Sequence, residues 1–316
     1  MSKQFEPVGF VGLGGMGRGL VKNLAAKGVD VRVMDRRPEA VSEAVERGAR
    51  DAVSLSEMRS ACRIIMVCIN TAEDVEAMVL GDGGLLSMDG PDDLILVDHT
   101  TSNPASVETL STALAKAGAR YAEAPMTRTP KHAEAGIVNV LYGGDAELLE
   151  DLRPYFDCYA ENIFHIGPKG HAIRLKLIHN FIAFANVLSW CEGFALAAKD
   201  GIDLDQAIAI ISAAGGKSGM LDLYGEATLN RDFTPWMSLS NAAKDVRYYA
   251  EWLEQAGLPG FYAESVSQSY KLAELEGLGE EGCTSVIKVY ERLTGVAARS
   301  SHAANDNAAA DRKQQD

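Results

Sequence analysis

Positive charge is in short supply in this 316-residue chain: 30 lysines and arginines stand against 44 aspartates and glutamates, for a net charge of −14. Nucleic-acid phosphates call for the opposite balance, so no nucleic-acid partner is expected. An anionic membrane surface is disfavoured on the same ground. An anionic small molecule must be drawn in by local positive groups, against the overall field. Cysteine is sparse too. Cys62, Cys68, Cys158, Cys191 and Cys283 are scattered, odd in number and form no CxxC pair. That argues against a disulfide framework and a zinc site and for a reducing, cytoplasmic setting. No His/Asp/Glu cluster has ligand spacing, so no metal is expected. No apolar run reaches the ~20 residues of a membrane helix. Met1–Pro7 lacks the basic and apolar regions of a signal peptide.

What is present describes a globular protein with real cores: 47% hydrophobic and 23% charged residues. Its length suits about two domains of roughly 150 residues. Residues 8–13 read as a buried strand. A glycine-rich turn and a helical stretch to Lys27 follow, closed by Gly28. Val29–Met34 is a second strand, ended by Asp35-Arg36-Arg37-Pro38. Further strands are expected at Ile64–Ile69, Leu94–Val97, Gly136–Gly144 and near Ile163, separated by helix-like segments. Strands alternating with helices predict a parallel, doubly wound sheet. After Gly167 the character changes. From Gly170 to about Asp200 the chain is apolar and free of proline, as in one long buried helix. Only helical patterns follow, at about 203–214, 218–228, 237–256, 260–276 and 281–294. The expected architecture is an α/β Rossmann-like domain (1–168) followed by an all-α domain (169–296), joined by the long interdomain helix. The aperiodic tail, 297–316, is expected to be disordered.

Gly12-Leu13-Gly14-Gly15-Met16-Gly17 fits GxGxxG. Alone the pattern is weak, because glycine-rich turns arise by chance. Here a strand precedes it, a helix follows it, and the next strand ends in the acid Asp35. That context is the dinucleotide-binding fingerprint. Gly12 makes the tight turn, Gly14 lets the backbone approach a pyrophosphate, and Gly17 lets helix and strand pack closely. The helix N-terminus supplies N–H groups and the positive end of a dipole for the phosphates. The whole turn, with Leu13, Gly15 and Met16, is assigned to the cofactor. Asp35 would accept hydrogen bonds from the adenosine ribose hydroxyls, which favours NAD. Arg36 and Arg37 keep NADP open, because arginines there either hold its extra phosphate or are solvated loop charges.

Phe10–Gly17, with Asn23-Leu24 and Gly28, is the first of five blocks. The others are Asp98-His99-Thr100-Thr101-Ser102-Asn103-Pro104, Ala124-Pro125-Met126-Thr127-Arg128-Thr129, Gly167 through Lys176-Leu177-Ile178-His179-Asn180, and Lys244-Asp245. In this order they resemble the β-hydroxyacid dehydrogenases, which include 3-hydroxyisobutyrate dehydrogenase and tartronate semialdehyde reductase. The resemblance covers roughly residues 8 to 295. It implies hydride transfer between NAD(H) and a small anionic 3-hydroxy acid or its semialdehyde, an active site in the cleft between the domains, and a homodimer or homotetramer.

Such chemistry needs a group that takes the hydroxyl proton in oxidation and returns it in reduction. Lys176 lies in the most apolar helix of the chain, where a lysine is costly unless used or paired. Burial lowers a lysine pKa towards the range of a general acid/base. Asn180, four positions on, shares its helical face. The residues alone leave two readings open: Lys176 as general acid/base, or as a side chain that snorkels from a partly exposed helix. The resemblance selects the first. It also implies that Thr101 lies beside the nicotinamide ribose and that Lys244 approaches the cofactor from the helical domain. By the same resemblance Asn70 stands in a segment expected to line the cofactor.

Two departures bear on substrate. The family's serine and two glycines, which bind the substrate's acid group, appear as Thr127, Arg128 and Thr129. Arginine offers a planar fork for carboxylate, phosphate or sulfonate oxygens. Sulfolactaldehyde reductases of this family carry an arginine at the equivalent place, so a sulfonate substrate is an alternative. His179 replaces the usual asparagine, and is either a second donor to the acid group or an ordinary helix histidine. Ala183 does not support simple transfer of the sulfonate reading. Imine reduction is a further alternative on this fold, and Lys176 argues against it. A catalytically silent dinucleotide-binding module is the alternative of another class; such relatives tend to lose the lysine.

Overall fold

The computed structural model describes residues 5–301. The chain divides into two compact units, the first ending at Lys176 and the second beginning at Leu177.

The first unit is built on a sheet of nine strands among the described residues: β1 (Val8–Val11), β2 (Val31–Met34), β3 (Arg50–Asp51), β4 (Ile64–Val67), β5 (Ile95–Asp98), β6 (Arg120–Glu123), β7 (Met126–Thr127), β8 (Val138–Gly143) and β9 (Ala160–Gly167). Their order is β3-β2-β1-β4-β5-β6-β8-β7, with β9 paired to β8. The six strands from β3 to β6 run parallel. β8 turns antiparallel to β6 and to β7. β1, β4 and β5 are buried along their whole length, because helices cover both faces of such a sheet. Those helices are α1 (Gly17–Ala26), α2 (Pro38–Glu46), α3 (Leu55–Ala61), α4 (Ala72–Leu80), α5 (Pro104–Lys116), α6 (Pro130–Ala135) and α7 (Ala146–Phe156). Polar caps start several of them: the Ser54, Thr71 and Asn103 side chains accept the N–H groups of Glu57, Asp74 and Ser106. The expected strand over 136–144 is shorter than its apolar run, because α6 ends at Gly136 in a left-handed turn (φ +73°).

The long helix is α8 (His171–Lys199). The division between the two compact units falls inside it, after Lys176. The cause is Glu123 at the end of β6, whose carboxylate accepts the N–H groups of Gly170 and Ile173 and so fastens the start of α8 to the first unit. By length and composition α8 is apolar enough to cross a membrane, with a mean hydropathy of 1.5 over its most apolar stretch, of which 44% is buried in the fold. This corrects the expectation that no segment reaches that length. Single polar residues such as Asn180 and Ser189 break the apolar run in sequence without breaking it as a helix.

The second unit is helical: α9 (Leu204–Ser212), α10 (Gly219–Leu229), α11 (Leu239–Gln255), α12 (Phe261–Leu275) and α13 (Ile287–Thr294). Phe184, Val187 and Phe194 of α8 share its core with Leu239, Val246, Val266 and Ile287. Residues 297–301 belong to this unit, against the expectation of disorder. Ala298 and Ser300 are buried. The Ser300 N–H donates to the Leu229 carbonyl at 2.9 Å, and the Ser301 hydroxyl donates to Asp205 at 2.6 Å. Small polar residues here satisfy buried groups instead of solvating a tail. The rest of that segment, from His302 on, lies outside the described residues.

His99 sits in the first core. Its Nδ1 is 2.7 Å from the Ala124 carbonyl and its Nε2 3.1 Å from the Tyr159 hydroxyl. Burial pushes its pKa down from 6.5 to about 4. An unfolded chain would bind a proton at His99 below pH 6.5, while the native chain resists until about 4. Stability is therefore complete above pH 6.5 and falls as pH drops through that window. Urea unfolding at pH 7 and pH 5 should show His99→Asn losing roughly 2 kcal/mol less than the native protein between the two. Equal losses would contradict this assignment.

Candidate active site

The glycine-rich turn lies at the carboxyl end of β1, where β2 pairs on one side and β4 on the other. This reversal of strand order is where open α/β sheets take ligands. Gly12 holds φ +99°, and a Cβ there would stand 2.2 Å from the Cys68 carbonyl oxygen. A Cβ at Gly17 would stand 2.0 Å from the Gly12 carbonyl oxygen. These two positions admit no side chain if β1, β4 and α1 are to close on one another. A Cβ on Gly14 would instead meet nothing within 4 Å, which is the open backbone a pyrophosphate needs. α1 begins without a side-chain cap and with no acid in its first turn, leaving its positive end for an anion. The residues fit a dinucleotide. Of the others in the turn, Leu13 is buried, Met16 packs on the core and Gly15 faces Pro130.

Asp35 follows β2 and reaches back to the turn. It accepts the Leu13 N–H at 2.6 Å and the Arg37 N–H at 2.9 Å. Arg37 Nε donates to it at 3.1 Å, and Arg37 Nη2 donates to the Leu13 carbonyl at 3.0 Å. Burial pushes the carboxyl up, but these bonds outweigh it and hold the group below its usual range. Arg37 is thus the arginine that folds over Asp35, although its side chain, like that of Arg36, is exposed. At the neighbouring strand ends the Cys68 N–H donates to the Val11 carbonyl at 2.9 Å, and the Ile69 N–H donates to the Thr100 hydroxyl at 3.2 Å. Exposed Asn70 and half-buried Thr101 follow directly, on the same carboxyl edge as the turn.

The segment 127–129 leaves β7 and enters α6. Thr127 accepts from Asn139 Nδ2 at 3.0 Å. Arg128 holds φ +80°, a left-handed backbone that glycine adopts freely and arginine at a cost of about 1–2 kcal/mol. Its guanidinium donates to Glu161 and, at 2.5 Å, to the Ile137 carbonyl. Thr129 Oγ1 is 2.8 Å from His132 Nδ1. α6 is clamped to α1: Asn23 Nδ2 donates to the Ala133 carbonyl at 2.9 Å, and Lys22 pairs with Glu134 at 2.7 Å. Segment 127–129 therefore rests, through α6, on the helix that opens with the glycine turn.

Lys176 lies in the second turn of α8 and is 8% exposed. Asn180, one turn further, is buried. In the second unit Asn180 Nδ2 donates to Asp245 at 2.6 Å. The Lys244 ammonium lies 3.1 Å from the other oxygen of Asp245 and 5.2 Å from the centre of the buried Tyr248 ring. Exposed His179 places Nδ1 2.9 Å from Asn180 Oδ1. Asp245 thus fixes which way the Asn180 amide points and gathers His179, Asn180 and Lys244 into one network.

Residues 7–167 match the NAD binding domain of 6-phosphogluconate dehydrogenase, and residues 170–290 match the family described as NAD-binding of NADP-dependent 3-hydroxyisobutyrate dehydrogenase. The chain belongs to the β-hydroxyacid dehydrogenases. Members are NAD(P)-dependent enzymes acting on hydroxy acids. The chain is 28% identical to 2-(hydroxymethyl)glutarate dehydrogenase of Eubacterium barkeri, over 92% of its own length and 96% of the relative's. It is 28% identical to an NAD-dependent L-serine dehydrogenase of Pseudomonas aeruginosa, over 92% and 99%. A 3-hydroxyisobutyrate dehydrogenase structure from Salmonella typhimurium superposes with a TM-score of 0.82 at 25% identity, covering 90% of this chain and all of that one.

Three side chains in this β-hydroxyacid dehydrogenase were not singled out by sequence reading. In the sequence Asp245 reads only as half of a Lys-Asp pair. Glu161 carries no sequence signal, because its partner Arg128 is 33 residues away. Glu123 carried a legible signal: a carboxylate closing a buried strand, directly before Ala124-Pro125.

Proposed function

We propose that the protein oxidises a small 3-hydroxy acid with NAD, or reduces its semialdehyde, with Lys176 as the general acid/base. The observation that carries this is the burial of a lysine one helical turn before an asparagine whose amide is fixed by Asp245. When bound, a nicotinamide would supply the hydride acceptor or donor. Lys176 takes the hydroxyl proton in oxidation and returns it in reduction. Asn180, oriented by Asp245, steadies the hydroxyl, and His179 flanks it. Lys244 and Thr101 serve the cofactor, with Asn70 beside them. Asp35 takes the adenosine ribose, which supports NAD over NADP, and its pairing with Arg37 strengthens that preference, since Arg37 is then committed to the turn.

For the acid group, the proposed holders are the hydroxyls and N–H groups of Thr127–Thr129. The engagement of Arg128 with Glu161 and Ile137 supports this over the sulfonate reading, which needs that guanidinium turned to the substrate. Arg128→Gly tests it without stressing the fold, since glycine suits φ +80°. The expected result is an unchanged or higher melting temperature and a Michaelis constant for the hydroxy acid within ~3-fold of native, a difference below about 1 kcal/mol. A rise of more than ~10-fold, about 1.4 kcal/mol, would return the acid group to Arg128 and revive the sulfonate alternative.

A further inference from the structure

Glu123 ends β6 with its side chain 1% exposed. A buried carboxylate is costly unless it is hydrogen-bonded. Here the donors are the N–H groups of Gly170 and, at 2.8 Å, Ile173, at the positive start of a 29-residue helix. The cap is delivered from 47 and 50 residues upstream, whereas Ser54, Thr71 and Asn103 cap from inside their own turns. A slot is kept for it. Gly143 pairs with Glu123 across β6 and β8, and a Cβ there would come within 3.0 Å of both Glu123 Oε1 and the Ala172 methyl.

Two chains of covalent geometry leave this contact. From Glu123 the backbone runs through Ala124-Pro125 to Thr127, Arg128 and Thr129. From Ile173 one turn of α8 leads to Lys176. We infer that Glu123 is a positioning residue, locking the start of α8 to the strand that carries the acid-binding segment and so setting the distance between that segment and the proton-transferring lysine. The inference rests on the proposed role of Lys176. A cap that served stability alone would leave the rate of folded enzyme unchanged, so rate and stability separate the two roles.

The test is Glu123→Gln, with shape kept but one N–H donor facing the wrong group, measured beside Lys176→Ala. Misplacing a catalytic group by ~1 Å costs on the order of 100-fold in rate. Per NADH-binding site, kcat of E123Q should fall by about 10- to 100-fold with the NADH Kd within ~2-fold, under about 0.5 kcal/mol. Hydrogen exchange gives a readout independent of turnover: amides over residues 170–176 should exchange at least ~10-fold faster while β1 and α1 keep their protection. A native kcat per site, or unchanged exchange over 170–176, overturns the inference. Gly143→Ala crowds the same contact without touching the carboxylate, and should show the same signature if E123Q fails to fold; a G143A protein with native kcat and native exchange overturns it equally. Normal turnover of K176A would instead bring down the assignment of the lysine itself.

Discussion

Lys176→Ala should reduce kcat by about 10²- to 10⁴-fold, the range that a positioned general acid/base supplies, and leave the NADH dissociation constant almost unchanged. The substitution removes no packing strand and no turn. It takes away a side chain that is 8% exposed on a predominantly apolar helix. Lys176→Arg should not restore the rate, because a guanidinium keeps its proton throughout the working range. A loss confined to kcat identifies an interaction made in the transition state, whereas a rise in the Michaelis constant alone would mean a binding role. Near-native turnover in the alanine variant would remove Lys176 from the chemistry.

The second large effect is expected at Gly12. Alanine there meets two separate penalties. The backbone at φ +99° disfavours any L side chain, and the new methyl would lie 2.2 Å from the Cys68 carbonyl oxygen. That oxygen belongs to backbone running on from β4, which cannot swing aside as a side chain can. The turn must therefore open, carrying Leu13 off Asp35, a bond of 2.6 Å in the native chain. Gly12→Ala should raise the NADH Kd by at least ~100-fold, about 2.7 kcal/mol, and lower the melting temperature. Fluorescence titration of NADH would check it. Gly14→Ala is the contrast: its Cβ meets nothing within 4 Å of protein, so folding should survive while NADH binding weakens through loss of the space above the turn. Equal NADH affinity for Gly12→Ala and the native protein would mean that the cofactor does not use this turn.

Much of this was readable in the sequence because it follows from local periodicity. The strand at 8–11, the glycine turn and α1 are adjacent along the chain, and each glycine has a steric reason that one sequence exposes. α8 was legible from its proline-free apolar run, within a residue of its end at Lys199. What sequence spacing concealed was contact at long separation. Arg37, not Arg36, turns back to the glycine loop, a choice made by the geometry of the turn after β2. Arg128 reads as a cation for an anionic ligand, yet the fold offers it Glu161 and a carbonyl first. The packed segment 297–301 has the composition of a solvated tail, and its order comes from partners distant in sequence, Asp205 and Leu229 among them. The anchor of the start of α8 was concealed in the same way, since Glu123 lies 47 residues before Gly170.

The most direct test of the central claim is turnover itself. Purified protein would be mixed with NAD or NADP and a panel of 3-hydroxy carboxylates and their sulfonate analogues, with the semialdehydes and NADH for the reverse reaction, while absorbance of the reduced nicotinamide is followed. The account predicts turnover of at least one carboxylate pair, with NAD preferred. NADH binding without turnover of any compound in the panel would contradict it, leaving the dinucleotide fold in place but the 3-hydroxy acid reading wrong.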